Sequence, residues 1–353
     1  MPIASSLLDK PRLMKKLRDF YSYVQKNDGK VGQKTRGIDL NFNNACNLRC
    51  KYCFTNSPKG DHVKEYLDIG AIGRLADQAD ELGYFEFDLQ GGELLLQPDK
   101  LFEVLEAIKP ERFYMYLTTN GFYLDEKIAK KLAEYKVSRV SVSIDSMDEK
   151  THDEIRGRKD SWRRAMEALK HVRNAGMDPY LNITVGRYNA NTEHFKQLLD
   201  YSKDQKYKTL LNVAVPSGMW QNAEGIICND EDREYLRKIR KEYKNLVRNI
   251  WNPFDKNHEK ILGCTTVNRV YVTPIGDVLV CPYVHIKIGN IFEQSLKEII
   301  DHGFSIKYFR NHSDLCLAGE DKSFIKNFMT KSGQSIFKPA LASDIFEESD
   351  FVR

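Results

Sequence analysis

The chain lacks any apolar run suited to a signal peptide, and no stretch approaches the roughly 18 to 20 residues of a membrane-spanning helix. Its first twenty residues carry Leu7, Leu8, Leu13 and Leu17, but Lys10, Arg12, Lys15, Lys16 and Arg18 interrupt them. Charge of one sign is also in short supply. The 54 basic and 50 acidic residues leave a net +4 with the signs interspersed, too weak a balance to favour nucleic acid or an anionic membrane. Repeats and low-complexity tracts are missing, so nothing suggests a repeat array. Seven cysteines without a secretory signal point to a reducing cytoplasm, and to metal or catalytic chemistry over disulfides. What is present, 353 residues with 41% hydrophobic and 29% charged, fits a soluble globular protein of two or three domains, or one barrel with an appendage.

From Arg36 onward, strand-like and helix-like segments alternate. The expected strands are Ile38–Phe42, Phe85–Leu89, Phe113–Leu117, Val137–Ile144, Tyr180–Val185 and Thr209–Val215. The expected helices between them are Ile69–Leu82, Leu101–Ile108, Glu126–Tyr135, Trp162–Ala175 and Thr192–Ser202. Such alternation means βα units on a parallel sheet. Six units make a partial (β/α)6 TIM-like barrel, whose active-site residues belong at the C-terminal ends of strands. Residues 6–26 read as an amphipathic helix in an N-terminal extension, 1–34, and the barrel is expected over 35–250. A charged helix, Glu231–Arg248, and a linker at 249–263 follow. A small C-terminal α/β region, 251–330, then holds a β-hairpin: Val270–Thr273, the turn Pro274-Ile275-Gly276-Asp277, and Val278–Val280. A helix at Leu296–His302 follows, and residues 331–353 are expected to be a tail.

The densest chemical signal is Cys46-x3-Cys50-x2-Cys53, placed directly after the first strand. Three closely spaced thiolates can hold three irons of a [4Fe–4S] cube and leave the fourth iron open. Zinc is the alternative, but it wants a fourth Cys or His at short range, and His62, nine residues on, lacks the matching spacing. The triplet, with the aromatic Tyr52 before its last cysteine, resembles the radical S-adenosylmethionine (SAM) superfamily. That resemblance implies that SAM chelates the open iron. One electron then cleaves SAM to methionine and a 5′-deoxyadenosyl radical.

Further segments fit the resemblance. Gly91-Gly92-Glu93 ends the second strand and resembles the motif that binds the SAM amino group. Glycines let a ligand approach the backbone, and a carboxylate suits an ammonium. Ser143 at the end of the fourth strand and Arg156 beyond it resemble the pair that holds the SAM carboxylate in sulfatase-maturing and peptide-modifying relatives, and an arginine fork suits a carboxylate. Arg156 can equally be a helix-end ion pair. Asn120 is expected near the ribose hydroxyls and Tyr52 beside adenine, while His152 reads as structural. Cys264-x11-Gly276-x4-Cys281 resembles the opening of the cysteine-rich SPASM domain or its shortened form, twitch. A full SPASM domain holds two further clusters, but only Cys316 remains after Cys281. One auxiliary [4Fe–4S] cluster on Cys264, Cys281 and Cys316 is therefore expected. Its fourth ligand is left open among Cys228, a non-cysteine side chain and the substrate. Cys228 itself reads as an apolar filler, that fourth ligand, or a thiol that returns hydrogen to a substrate radical.

The resemblance implies hydrogen abstraction from a C–H bond, followed by oxidation, crosslinking or epimerisation, with an electron donor such as flavodoxin or ferredoxin. The residues ahead of Ile38 are expected to be too few for a leader-peptide recognition domain. A carbohydrate-like or other small-molecule substrate is therefore expected, with a peptide maturase as the second reading. A non-catalytic iron–sulfur electron carrier would have no use for Gly91-Gly92-Glu93, Ser143 or Arg156.

Overall fold

A computed structural model describes residues 9–59, 66–333 and 335–352. His62 and residues 6–8 of the expected first helix lie outside them. Six strands pair in chain order, each parallel to the next: β1 Gly37–Leu40, β2 Glu86–Leu89, β3 Tyr114–Thr119, β4 Arg139–Ser143, β5 Asp178–Val185 and β6 Lys208–Val213. The helices Ile69–Glu81, Pro98–Ile108, Glu126–Glu134, Ser161–Asn174 and Glu193–Asp204 connect them. Short polar side chains start three of these helices. Asp68 accepts from the Ala71 N–H, Asp125 from Ile128 and Thr192 from Phe195, satisfying donors that the first turn leaves free. One face of each strand, with Ile38, Phe87, Leu117, Val140 and Leu181, is buried against the helices in one core. The result is the partial, TIM-like barrel of βα units.

The structure departs from the sequence reading in three places. The charged helix after β6 ends at Glu242, and Leu246–Val247 becomes β7, parallel to β6. Tyr243 donates its hydroxyl to Asp200 at 2.7 Å, and Asn245 Nδ2 donates to Ser202 Oγ and the Tyr207 carbonyl at 2.8 and 2.9 Å. These partners draw the chain onto an open sheet edge and override the helical pattern. A helix at Glu149–Arg156, too polar to show an apolar stripe, lies between β4 and the next helix. It is bounded by the Asp148 cap and by Gly157 at φ 68°. The expected tail instead supplies edge strand β11, Ala340–Leu341.

The C-terminal hairpin forms as read: β8 Arg269–Val272 and β9 Asp277–Cys281 are antiparallel, with Gly276 at φ 81° in the turn. β10, Val284–Asn290, adds to β9, and β11 to β10. β8 also pairs in parallel with β1, so one eleven-stranded sheet runs β11-β10-β9-β8-β1-β2-β3-β4-β5-β6-β7.

A buried charge cluster sits at the β8–β1–β2 seam. Arg269 Nε donates to Asp39 at 2.7 Å and its Nη2 to Asp88 at 3.0 Å, while Arg36 Nε holds Glu86 at 3.0 Å. Burial above all pushes the Asp88 carboxyl up to about 6, against the pull of Arg269 and with repulsion from Asp39. An unfolded aspartate titrates near 3.9. Between about pH 4 and pH 6 the folded chain therefore binds this proton more tightly than the unfolded chain. The contribution of Asp88 to stability should fall as pH rises through that window. The stability of wild type minus that of Asp88→Asn, from denaturant melts, should drop by about 2 kcal/mol from pH 4 to pH 6. A difference that stays flat or rises contradicts the assignment.

Candidate functional site

The loop after β1 carries Cys46, Cys50 and Cys53 and is held by backbone bonds on several sides. Arg49 N–H and Lys51 N–H donate to the carbonyls of Arg156 and Ile155 at 3.0 and 3.1 Å. Glu93 N–H donates to the Ala45 carbonyl at 2.7 Å, and Met219 N–H, beyond β6, to that of Cys53 at 2.9 Å. Two glycines make this docking possible. A Cβ at Gly92 would lie 2.1 Å from the Ala45 oxygen, and one at Gly157, already left-handed, would lie 2.7 Å from the Arg49 oxygen.

The three thiols line a cavity at the C-terminal ends of the strands, together with Tyr52, Gly91, Gly92, Asn120, Ser143 and Arg156. Nine of the ten residues expected there from the barrel motifs thus share one cavity; Glu93 does not. Its carboxylate is buried and accepts from Leu95 N–H at 3.0 Å, Thr119 Oγ1 at 2.7 Å and Asn120 N–H at 2.8 Å. Glu93 braces the ends of β2 and β3. Arg156 Nε bonds Asp145 Oδ2 at 2.6 Å, and its Nη1 approaches Cys50 Sγ at 3.8 Å. The Tyr52 hydroxyl donates to the same Asp145 oxygen, whose sister atom Oδ1 is buried without a partner. Asn120 Nδ2 donates to Asn47 Oδ1 at 2.8 Å and lies 4.0 Å from Cys46 Sγ. His152 accepts from the Asp145 N–H at 3.2 Å, and burial pushes its pKa down to about 4, so it is neutral and structural.

Cys264, Cys281 and Cys316 line a second cavity. Cys264 N–H donates to the Ser313 carbonyl at 2.8 Å, which brings the Cys316 loop back to the hairpin. Glu320 accepts from the Cys316 N–H at 2.9 Å and is itself held by Arg248 at 3.0 and 3.2 Å. Cys228 lines neither cavity. It is buried, with Sγ 3.9 Å from the Val185 carbonyl, in the apolar core. The two cavities adjoin, sharing Asp39, Asn212, Asn249, Arg269 and Tyr283 as walls.

Below the thiols, the first cavity extends into the barrel between Asp39, Asp88, Arg139, Asn182, Asn212 and Arg269. Sequence reasoning passed over these residues, although their signal is visible. Strands of a parallel sheet are buried on both faces and should read as nearly continuous apolar runs. Here polar residues recur at alternate positions, as in Arg139-Val140-Ser141-Val142-Ser143 and Asn182-Ile183-Thr184.

A family profile described as the radical SAM superfamily matches residues 40–202, and one described as an iron-sulfur cluster-binding domain, SPASM, matches 264–319. The GTP 3′,8-cyclase of Nautilia profundicola is 32% identical over 305 residues, which is 77% of this chain and 91% of that one. The AdoMet-dependent heme synthase of Methanosarcina barkeri is 25% identical over 296 residues, 76% of this chain and 83% of that one. Among solved structures, native anSMEcpe with bound AdoMet aligns at TM-score 0.60 and 19% identity, covering 90% of this chain and 92% of that one. Streptococcus suis SuiB bound to precursor peptide SuiA aligns at TM-score 0.58 and 17% identity, covering 83% and 69%.

An open βα barrel with a thiol triplet above its strands, joined to a second thiol set, is the frame of an iron–sulfur enzyme that uses SAM. The chain belongs to the radical SAM superfamily and carries a C-terminal SPASM iron–sulfur domain. Its cofactors are a [4Fe–4S] cluster and SAM, with further iron–sulfur binding in the SPASM domain. The residues present fit them. Cys46, Cys50 and Cys53 line one cavity and Cys264, Cys281 and Cys316 an adjoining one, and three thiols facing one cavity suit a multi-iron cluster. Burial pushes the Cys46 and Cys281 thiols up to about 12, so cluster binding must release their protons. No helix among the described residues is long and apolar enough to cross a membrane.

Gly157→Ala should cost roughly 1 to 2 kcal/mol for the left-handed backbone alone, and more as the new Cβ displaces the Arg49 carbonyl. The melting temperature and the iron retained by the Cys46–Cys53 loop should both fall. An unchanged melting curve with full iron content would show that this contact does not hold the loop.

Proposed function

We propose that this enzyme oxidises a polar small molecule, carbohydrate-like or similar, bound inside the barrel below SAM. The observation that carries the reading is the polar wall beneath the thiol triplet, with Asp39, Asp88, Arg139 and Arg269 buried and Asn182 and Asn212 half-buried. Arg269 pairs with Asp39 and Asp88, and Asn212 with Asn182 at 2.6 Å, so Arg139 is the member of this wall that still calls for a partner, because buried polar groups are costly unless something pairs with them. The relatives named above are, by name, a heme synthase and a GTP cyclase, which also favours a small-molecule substrate.

In this reading Cys46, Cys50 and Cys53 hold the first cluster, and Cys264, Cys281 and Cys316 an auxiliary one. When bound, cluster and SAM supply a 5′-deoxyadenosyl radical able to take hydrogen from an unactivated C–H bond. The chain's own residues position and shield. Arg156, oriented by Asp145, and Ser143 take the SAM carboxylate. Gly91 and Gly92 offer backbone to its amino group, with Glu93 bracing them from behind. Tyr52 flanks adenine, and Asn120, held by Asn47, faces the ribose. The walls shared by the two cavities put a substrate beside both thiol sets, which supports oxidation. Epimerisation needs a hydrogen donor facing the substrate, and Cys228 turns its sulfur toward the β5 backbone instead. A reductant of the flavodoxin or ferredoxin type completes the system.

The direct test is anaerobic incubation with SAM and candidate substrates deuterated at single carbons. Deuterium should appear in 5′-deoxyadenosine for one substrate and one position. If none of a broad panel of sugars and other polar metabolites transfers deuterium while a peptide does, the small-molecule reading fails. For the clusters, a variant with Cys46, Cys50 and Cys53 all changed to Ala should form no 5′-deoxyadenosine yet retain about four irons after reconstitution, following cube stoichiometry. A triple variant free of iron would eliminate the auxiliary cluster.

A further inference from the structure

Arg139 opens β4 at the floor of the cavity that the cysteine triplet caps, and it is 7% exposed. Its guanidinium is sandwiched between the rings of Tyr116, 3.7 Å from the centroid, and Tyr180, at 4.4 Å. Both faces of the planar group are thus covered by aromatic rings. Of the other buried arginines, Arg36 pairs with Glu86, Arg156 with Asp145, Arg248 with Glu320, and Arg269 with Asp39 and Asp88, while Arg240 donates to the carbonyls of Asn252 and Lys260. Arg139 has neither an ion pair nor a hydrogen-bond acceptor among the described residues, and its Nε is buried without a partner. Asp88 acts on it only at longer range. Two residues on, along the same inward face of β4, Ser141 Oγ is buried and unpartnered as well.

A buried guanidinium is always charged, and leaving one unpaired is strongly unfavourable. Stacking on two rings offsets part of that cost but uses only the faces. What remains free is the in-plane edge, with its fork of N–H donors. That edge matches the two oxygens of a carboxylate or phosphate in bidentate geometry. Arg139 lines the cavity below the thiols and also, with Tyr116 and Tyr180, a hollow at the opposite end of the strands; an oxyanion met on the thiol side belongs to a molecule lying across the barrel, below SAM.

We propose that Arg139 is the anchor for an oxyanion of the substrate, which makes the substrate an acid: a carboxylate or a phosphate ester, held at its charged end while its carbon skeleton extends toward the cysteine loop. This rests on the reading of the barrel interior as the substrate site. The Tyr116–Arg139–Tyr180 stack fixes the fork in advance, so little rotamer freedom is lost when the anion arrives.

The test titrates inorganic phosphate and, separately, acetate into the cluster-loaded, SAM-bound protein by anaerobic calorimetry, comparing wild type, Arg139→Gln and the surface control Arg163→Gln. Saturable binding of one anion by wild type is expected, weakened by about ten- to a hundredfold in Arg139→Gln and unchanged in Arg163→Gln. Whichever anion binds tells phosphate ester from carboxylic acid. A structural role makes a further difference: Arg139→Met should melt no lower than wild type without an anion if the charge serves a ligand, and lower if it serves the fold. Should the variants not fold, crystals of wild type soaked in selenate decide, by an anomalous peak at the Arg139 fork or none. Absence of saturable binding, equal affinity in Arg139→Gln, a lower melting point for Arg139→Met, or an empty fork in selenate would each overturn the proposal. None of these measurements uses turnover. A failure here is therefore distinct from a failure of the radical reading, which is seen as wild type forming no 5′-deoxyadenosine.

Discussion

Arg269 ties the two halves of the molecule together. It stands on β8, the first strand of the C-terminal hairpin, and reaches Asp39 on β1 and Asp88 on β2. Glu86, which holds Arg36, lies within 3.5 Å of its Nη1. Burying that many charges is tolerable only because each has a partner, and removing one partner would leave the others uncompensated. The parallel β8–β1 pairing and this cluster specify each other. Strands carry inward charges at alternate positions, and a slip of one residue would turn those charges into the apolar face. Through this seam the hairpin bearing Cys281 is placed beside the barrel cavity, so the two thiol sets come to share walls.

The cysteine loop depends on a different kind of constraint. It has little regular structure of its own and is positioned by backbone contacts from the ends of β2, β6 and the helix Glu149–Arg156. These contacts need main chain to touch main chain, which explains glycine at 92 and 157 in chemical terms. Motifs far apart along the chain meet at one loop. Arg156 gains its orientation in the same way, from a helix end that both docks the loop and aims the guanidinium at Cys50.

Much of the barrel was legible from local rules. The βα units combined a strand-like apolar run, a helical pattern and strand ends marked by Gly, Asn or Asp, and these signals agreed with one another. The boundary at Glu242 was not legible, because the helix stops for partners on neighbouring elements and not for its own composition. The short helix before Gly157 carries no apolar stripe to be seen. The bracing role of Glu93 was not legible either, because its donors Thr119 Oγ1 and Asn120 N–H come from the end of another strand.

By itself the sequence determined the parallel βα order, the thiol triplet and its place above a strand, and a hairpin with a cysteine at its end, since all of these follow from spacing, capping and turn chemistry within short windows. Only the tertiary structure decided that the two thiol sets line adjoining cavities, that Cys228 lines neither, and that Arg139 is left without a carboxylate. Pairing between residues distant in the chain is set by strand register and by which charges meet when the sheet curls. No local pattern carries that information.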